Sequence, residues 1–190
     1  MAFWNDTNLD PKRTYKFLVK FGTADRVGNR NVPTFLAQKA DRPVYTISDS
    51  AKIDFLEKSF FFPGKVSWNT VKIDFVDGAT EGTNVAKASY DYLTNAGYIA
   101  APAVYTGGGA GSFGTPNKEA ATAGLSVIVE GIDSTGAVID TWTLRNAWVK
   151  TVALNGYDYT AENIMTAQYE FRYDWAELGT STVAGGPKPQ

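Results

Sequence analysis

The sequence predicts a mostly β protein, a β-sandwich or barrel-like body with one α-helix packed at its side. Three observations carry that prediction. Apolar and polar residues alternate with a period of two in one segment after another. A single stretch shows helical spacing instead. The apolar strand surface also exceeds what one half-wet sheet can bury. The chain has 190 residues and is 44% hydrophobic, enough for the core of one domain. We place that domain at 1–178, with an irregular arm at 1–13 and a linker-like tail at 179–190.

The elements follow in order. Thr14 to Phe21 (TYKFLVKF) reads as a strand with Tyr15, Phe17, Val19 and Phe21 on one face. Val32 to Ala40 is a second extended segment, with Pro33 near its start, where a sheet tolerates proline. "DRPVYTISDS" reads as a loop. Ile53 to Phe62 is a long extended segment closed by Pro63-Gly64. Within it, Phe60, Phe61 and Phe62 cannot all face one side, because successive strand residues point to opposite faces. Val66 to Val76 changes parity midway: Val66 and Trp68 share one face, while Val71, Ile73 and Phe75 share the other. That change predicts a β-bulge near Asn69-Thr70.

The expected helix is Asn84 to Ala96, capped by Thr83 or Asn84 and ended by Gly97. Its stripe is Val85, Ala88, Tyr92 and Ala96. The glycine-rich stretch after it, through "TPNKEAATAG", reads as a mobile loop. Leu125 to Ile132 and Val138 to Leu144 flank "DSTGA" as a hairpin. Ala147 to Leu154 runs into Asn155-Gly156, a turn signal. Ala167 to Trp175 is the cleanest strand. Tyr169, Phe171, Tyr173 and Trp175 point to the core; Gln168, Glu170, Arg172 and Asp174 point to water.

Composition excludes several kinds of function. Cysteine and histidine are both absent. That removes disulfides, thiol catalysis, thiolate metal sites and the commonest general base. The net charge of −2 argues against a protein that grips phosphate backbones. No apolar run approaches the roughly 20 residues of a spanning helix, and the start lacks a signal-peptide pattern. We therefore expect a non-enzymatic protein, without cofactor, metal or membrane, made in a cytosol or in something assembled there.

Gly109 to Gly114 (GAGSFG) fits the dinucleotide-binding glycine pattern by letter, but no strand–helix context surrounds it. Asp74, Asp77, Asp133, Asp140, Glu170 and Asp174 read as solvated strand and turn residues rather than a catalytic pair. Ser67 with a nearby lysine is a weaker enzymatic option. Asn5-Asp6-Thr7 is a glycosylation triplet by chance. Tyr45, Tyr90, Tyr98, Tyr105, Tyr157 and Tyr159 suit either interface packing or, as an alternative function, a carbohydrate-binding sandwich. The surplus of apolar strand faces, Phe60 to Phe62 above all, points to cover supplied by other copies of the chain.

"PGKVSWNTVKIDFVD" resembles a W-x-x-V-x-V-x-F-x-D strand of the tail tube proteins of contractile-tailed bacteriophages. "LRNAWVKTVALNGYDYTAENIMTAQYEFRYDWAEL" resembles the C-terminal block of the same family. The likeness runs over roughly Thr14 to Leu178 in the family's order of parts. It implies a tail tube fold whose inner sheets join into a hexameric β-barrel ring. It also implies that rings stack inside a contractile sheath, meet terminator and baseplate proteins, and pass double-stranded DNA. The location implied is the virion tail, assembled in the host cytoplasm; related tubes serve contractile injection systems. By position, Val32 to Ala40 and Ile53 to Phe62 become the long hairpin of that barrel. Asp41 to Asp49 becomes a loop touching the next ring. The candidate contact residues are Phe60, Phe61, Phe62, Arg42, Tyr45 and Asp49.

Overall fold

A computed structural model describes residues 12–23, 37–80, 83–99, 114–123 and 125–180. The segments around Asn5-Asp6-Thr7, Val32–Pro33, Tyr105 and the start of the Gly109–Gly114 pattern lie outside these residues.

Among the described residues, ten strands form two four-stranded antiparallel sheets and one free hairpin, accompanied by two helices. The first sheet runs β1 (Phe17–Thr23), β6 (Leu125–Ile132), β7 (Val138–Arg145), β10 (Trp175–Thr180). The second runs β2 (Ala37–Ala40), β5 (Val71–Val76), β9 (Thr166–Arg172), β8 (Trp148–Leu154). Both sheets contribute to one core. Val19, Val127, Val129 and Leu144 come from the first; Ile73, Phe75, Tyr169 and Phe171 come from the second. The sandwich expectation therefore holds, and the described strands close no barrel.

Helix α1 (Val85–Asn95) stands where the spacing predicts it. Asn84 Oδ1 accepts from the Lys87 amide at 2.6 Å, and Asp77 Oδ1 accepts from the Val85 amide at 2.7 Å. Gly97 leaves the helix at φ +108, a conformation glycine adopts without a Cβ penalty. Tyr92 ties the helix down: its hydroxyl donates to Ala121 O at 2.8 Å and accepts from the Val149 amide at 3.1 Å. Burial raises the Tyr92 pKa. Ala121 belongs to α2 (Lys118–Thr122), a short second helix inside the segment expected to be a loop. Asn117 caps it, accepting from the Ala120 amide at 2.8 Å.

Several strand expectations need correction. β1 begins at Phe17, because Thr14 and Tyr15 lie in a turn and Tyr15 is exposed. The parity change at Asn69-Thr70 is real, but no bulge in a continuous strand produces it. The chain leaves one sheet at Trp68 and enters another at Val71. The aromatic strand at Ala167 to Trp175 breaks in the same way. Tyr169, Phe171 and Tyr173 are buried, but the chain crosses at Asp174 and Trp175 starts β10 with 44% exposure. The break at Asp174 is a sandwich corner, where one run serves two layers, while the one at Asn69-Thr70 joins the free hairpin to the second sheet. β10 also continues through Gly179 and Thr180, into the expected tail.

The "DSTGA" hairpin forms as expected. Asp133 Oδ1 accepts from the Thr135 and Ala137 amides, and Gly136 sits at φ +89. The Thr135 hydroxyl bond above all, and the amide bonds after it, hold the Asp133 carboxyl below its ordinary pKa. Asn155-Gly156, by contrast, makes no tight turn. Asn155 closes a wider loop by donating from its amide to Thr166 O at 3.2 Å. That loop, 155–165, carries Tyr157 and Tyr159 fully into solvent.

Candidate assembly surface

The hairpin differs most from the expectation and bears most on function. It is formed by β3 (Tyr45–Phe55) and β4 (Lys58–Trp68), not by Val32 to Ala40 with Ile53 to Phe62. Ile53 to Phe62 therefore contains a reversal. Leu56 and Glu57 form a two-residue turn, with Phe55 paired to Lys58. It carries no Gly, Asn or Pro to mark it.

Pro63-Gly64 does not end a strand either. Both residues lie inside β4, where the register slips locally opposite Asp49 and then recovers. Proline brings no amide to a ladder, so it fits at such an irregularity. A Cβ on Gly64 would stand 2.7 Å from both Ser48 O and Ser48 Oγ, so only glycine admits β3 this closely. Tyr45 and Asp49 accordingly sit in a strand, and Arg42 in the short connector 41–44 before it. The Asp41 to Asp49 loop is not present.

Cross-strand pairs share a face, and the pairing sorts the hairpin into two. Tyr45 with Trp68, Ile47 with Val66, Ala51 with Phe62, Ile53 with Phe60, and Phe55 opposite Lys58 make the first face. It is apolar apart from Lys58 and from Asp49, which lies between Ile47 and Ala51 on the same side of β3. Thr46 with Ser67, Lys52 with Phe61, and Asp54 with Ser59 make the second, which is polar except for Phe61. The FFF run thus splits two and one. Hydroxyls cross-link the polar face: Ser48 Oγ accepts from the Lys65 amide at 3.1 Å, and Ser59 donates to Asp54. The Ser59 and Lys52 bonds lower the Asp54 pKa.

An amphipathic ribbon of this kind normally lies on a core, yet both of its faces are in water. Ile53, Phe55, Phe60, Phe62 and Val66 are 46–66% exposed. In the two strands only Gly64 and Trp68 are half-buried, and every other residue is exposed. A contiguous apolar face of this length marks an interaction surface.

Among the described residues, the ribbon is held at its root. Trp68 packs between Tyr45 (ring centroids 5.3 Å apart) and Tyr173 (6.0 Å). The Asn69 amide donates to Val44 O, and the Asp41 amide to Lys72 O, both at 2.9 Å. The Tyr173 hydroxyl is buried without a partner there, and desolvation pushes its pKa up to about 12. Beside the root, the Asp140 side chain, only 8% exposed, accepts from Lys12 Nζ at 2.7 Å and Arg42 Nη2 at 3.1 Å. A Cβ at Gly131 would collide with Asp140 Oδ1, so glycine there lets the carboxylate tuck in. These groups border a cavity of about 250 Å³ whose apolar wall includes Phe17, Ile139 and Trp142.

The candidate residues therefore divide. Phe60 and Phe62 share the apolar face with Tyr45; Phe61 stands on the other; Arg42 pairs within its own chain. Sequence reasoning missed Ile47, Ile53, Phe55 and Val66. The alternation at Tyr45, Ile47, Ala51, Ile53 and Phe55 was visible, but Asp, Ser and Pro around it read as loop.

Each carboxylate considered for catalysis has a structural task. Asp74 accepts from Gln168, Asp77 caps α1, and Glu170 pairs with Lys150 at 2.9 Å. Asp174 holds Lys118 and Asn146. Ser67 donates to Thr46 O, not to a lysine. Among the described residues no cluster of His, Cys, Asp or Glu could hold a metal, and no helix is long and apolar enough to cross a membrane.

No family model matches the chain, and no curated protein does. Solved structures do. A chain of the anti-feeding prophage cap aligns over 95% of this chain and 100% of its own, at 17% identity and a TM-score of 0.62. A chain of the sheath–tube complex of an extracellular contractile injection system, PVC, aligns over 90% and 93%, at 14% identity and a TM-score of 0.56. The SPP1 tail tube aligns over 90% and 80%, at 11% identity and a TM-score of 0.53. At these identities the likeness shows the fold, which is the β-rich fold of tail tubes and injection-system tubes.

Proposed function

We propose that this protein is a structural tube subunit whose copies join through the β3–β4 hairpin. Six copies form a ring, and rings stack into a hollow tube inside a contractile sheath. The observation that carries the reading is the uncovered apolar face of the hairpin. Side by side, hairpins of neighbouring copies extend each other's ladders and remove exposed strand edges. In a closed ring the apolar faces pack outward against subunit bodies, and the Ser/Thr-rich faces turn inward.

Such a lining suits a duct for double-stranded DNA. A ring of unbalanced cations would trap phosphates, whereas hydroxyls with mixed charges let a duplex slide. The polar face offers that mixture: Lys52 is paired with Asp54 at 3.1 Å, and Lys65 lies among serines. The reading adds sheath, terminator and baseplate proteins as partners, and the virion tail, assembled in the host cytoplasm, as the location. No catalytic step belongs to it. An injection-system tube shares the ring and differs in cargo. A carbohydrate-binding module would use Tyr157 and Tyr159, which stand free, but it leaves the apolar hairpin without a purpose.

Electron microscopy of the purified protein over a concentration series tests the proposal. Rings with six-fold symmetry, or tubes, are the expected result. Particles that remain compact monomers at every concentration overturn it.

A further inference from the structure

The turn that closes the hairpin is unusual in a way the side-by-side contact does not explain. Leu56 sits at φ +55, a region where leucine is strained and Gly or Asn is comfortable. Its side chain is also 89% exposed. A bulky apolar residue thus occupies a place where both backbone and solvent disfavour it. Glu57 follows it directly. Strain of this kind at an exposed tip points to a task for the side chain.

The cavity at the hairpin root has matching properties. Its volume of about 250 Å³ is below the roughly 300–1,000 Å³ of small-molecule pockets, so it suits one inserted side chain better than a cofactor. Phe17, Ile139 and Trp142 supply apolar wall; of the charged lining, Asp140 holds Lys12 and Arg42 and Glu130 holds Lys20, while Arg13 and Lys16 add further positive charge. Trp142 Nε1 is buried without a hydrogen-bond acceptor.

Tip and root lie at opposite ends of one element. β3 has 11 residues, about 35 Å at roughly 3.3 Å per residue. Copies displaced along the hairpin axis therefore bring the tip of one to the root of the next. A head-to-tail contact of this kind joins two different patches and propagates without limit.

We infer that the Leu56-Glu57 tip of one copy inserts into the root cavity of a second copy in the adjoining ring. Leu56 enters the apolar part, and the Glu57 carboxylate meets Arg13 at the rim. The contact deepens the tube reading and rests on it.

The chain has no cysteine, so an introduced pair reports without background. In a Leu56→Cys, Ala40→Cys double variant, assembled material under mild oxidation should give a ladder of disulfide-linked multimers; each single variant should not. Tubes that form without a ladder overturn the tip-to-root contact and leave the ring proposal standing. Failure of the unaltered protein to assemble at all overturns both. Leu56→Gly supplies a second readout, because it relieves the turn while removing the plug. The monomer should melt no lower than the parent, and the concentration needed for stacking should rise on the order of tenfold or more. Stacking at the parent's concentration by this variant overturns the inference.

Discussion

β5 and the β3–β4 hairpin are built from the same alternation and have opposite fates. In β5, Val71, Ile73 and Phe75 are essentially inaccessible, and the intervening residues are wet or half-wet. In the hairpin, Ile47, Ile53, Phe60 and Phe62 alternate in the same way and are about half exposed. The difference lies in what stands opposite. β5 has strands on both sides and a second sheet across the core, while the hairpin has only itself. A periodic pattern therefore specifies that one face must be covered. It does not specify whether the cover comes from the same chain.

Substitutions can separate the two regions. The largest effect is expected in the core. Phe171, fully buried and stacked on Tyr169 at 6.0 Å, should lose about 3–5 kcal/mol of unfolding free energy on Phe171→Ala, read by urea denaturation of the monomer. Phe62→Ser should leave that denaturation curve nearly unchanged and instead weaken assembly. A loss of about 1.5–3 kcal/mol per contact raises the assembly concentration by roughly ten- to a hundredfold, read by sedimentation. Phe61→Ser, on the polar face, should shift assembly far less. Equal shifts for Phe61 and Phe62 would mean that the hairpin has no working apolar side.

Smaller effects sharpen the contrast from the sandwich side. Asp77→Ala removes the carboxylate that accepts from the first amides of α1, and should cost about 1 kcal/mol in the same denaturation experiment. The smallest is the Asp174 cluster, where Lys118 first and Asn146 second hold the carboxyl below its ordinary pKa. A folded-state pKa below the unfolded one stabilises the fold above the unfolded value. That contribution fades as pH falls through the folded value. Asp174→Asn should therefore lower stability slightly at pH 7, by less than about 1 kcal/mol in this exposed, salt-screened pair. The gap from the parent should close below about pH 4. Neither substitution should change the assembly concentration.

Much of the sandwich was legible from the chain. β6 occupies the residues its alternation predicts, and α1 lies between its asparagine cap and its terminal glycine. Those features are local, encoded by neighbours two to four positions apart. The hairpin was harder to read for three local reasons. Its turn uses Leu-Glu in place of turn-forming residues. Its Pro-Gly sits inside a strand, where Ser48 presses on Gly64. Its first strand is rich in serine and aspartate. The parity break at Asn69 was visible, but a bulge and a change of sheet leave the same trace in a sequence, and the crossing past Tyr173 keeps its alternation and leaves no trace at all.

The sequence by itself determined that this is a β-rich chain with a capped helix, a core of alternating aliphatic and aromatic residues, and more apolar strand surface than one sheet can hide. The tertiary structure decided where that surplus goes. Each sheet closes over its partner with residues from both ends of the chain, and no further sheet remains to cover β3 and β4. Alternation is a property of neighbouring residues, whereas cover is a property of segments far apart in the chain or in another copy of it. That is why the sequence could mark Phe60 to Phe62 as surplus calling for cover from another copy, while only the fold shows which residues share their face and that Phe60 and Phe62 stand exposed on it.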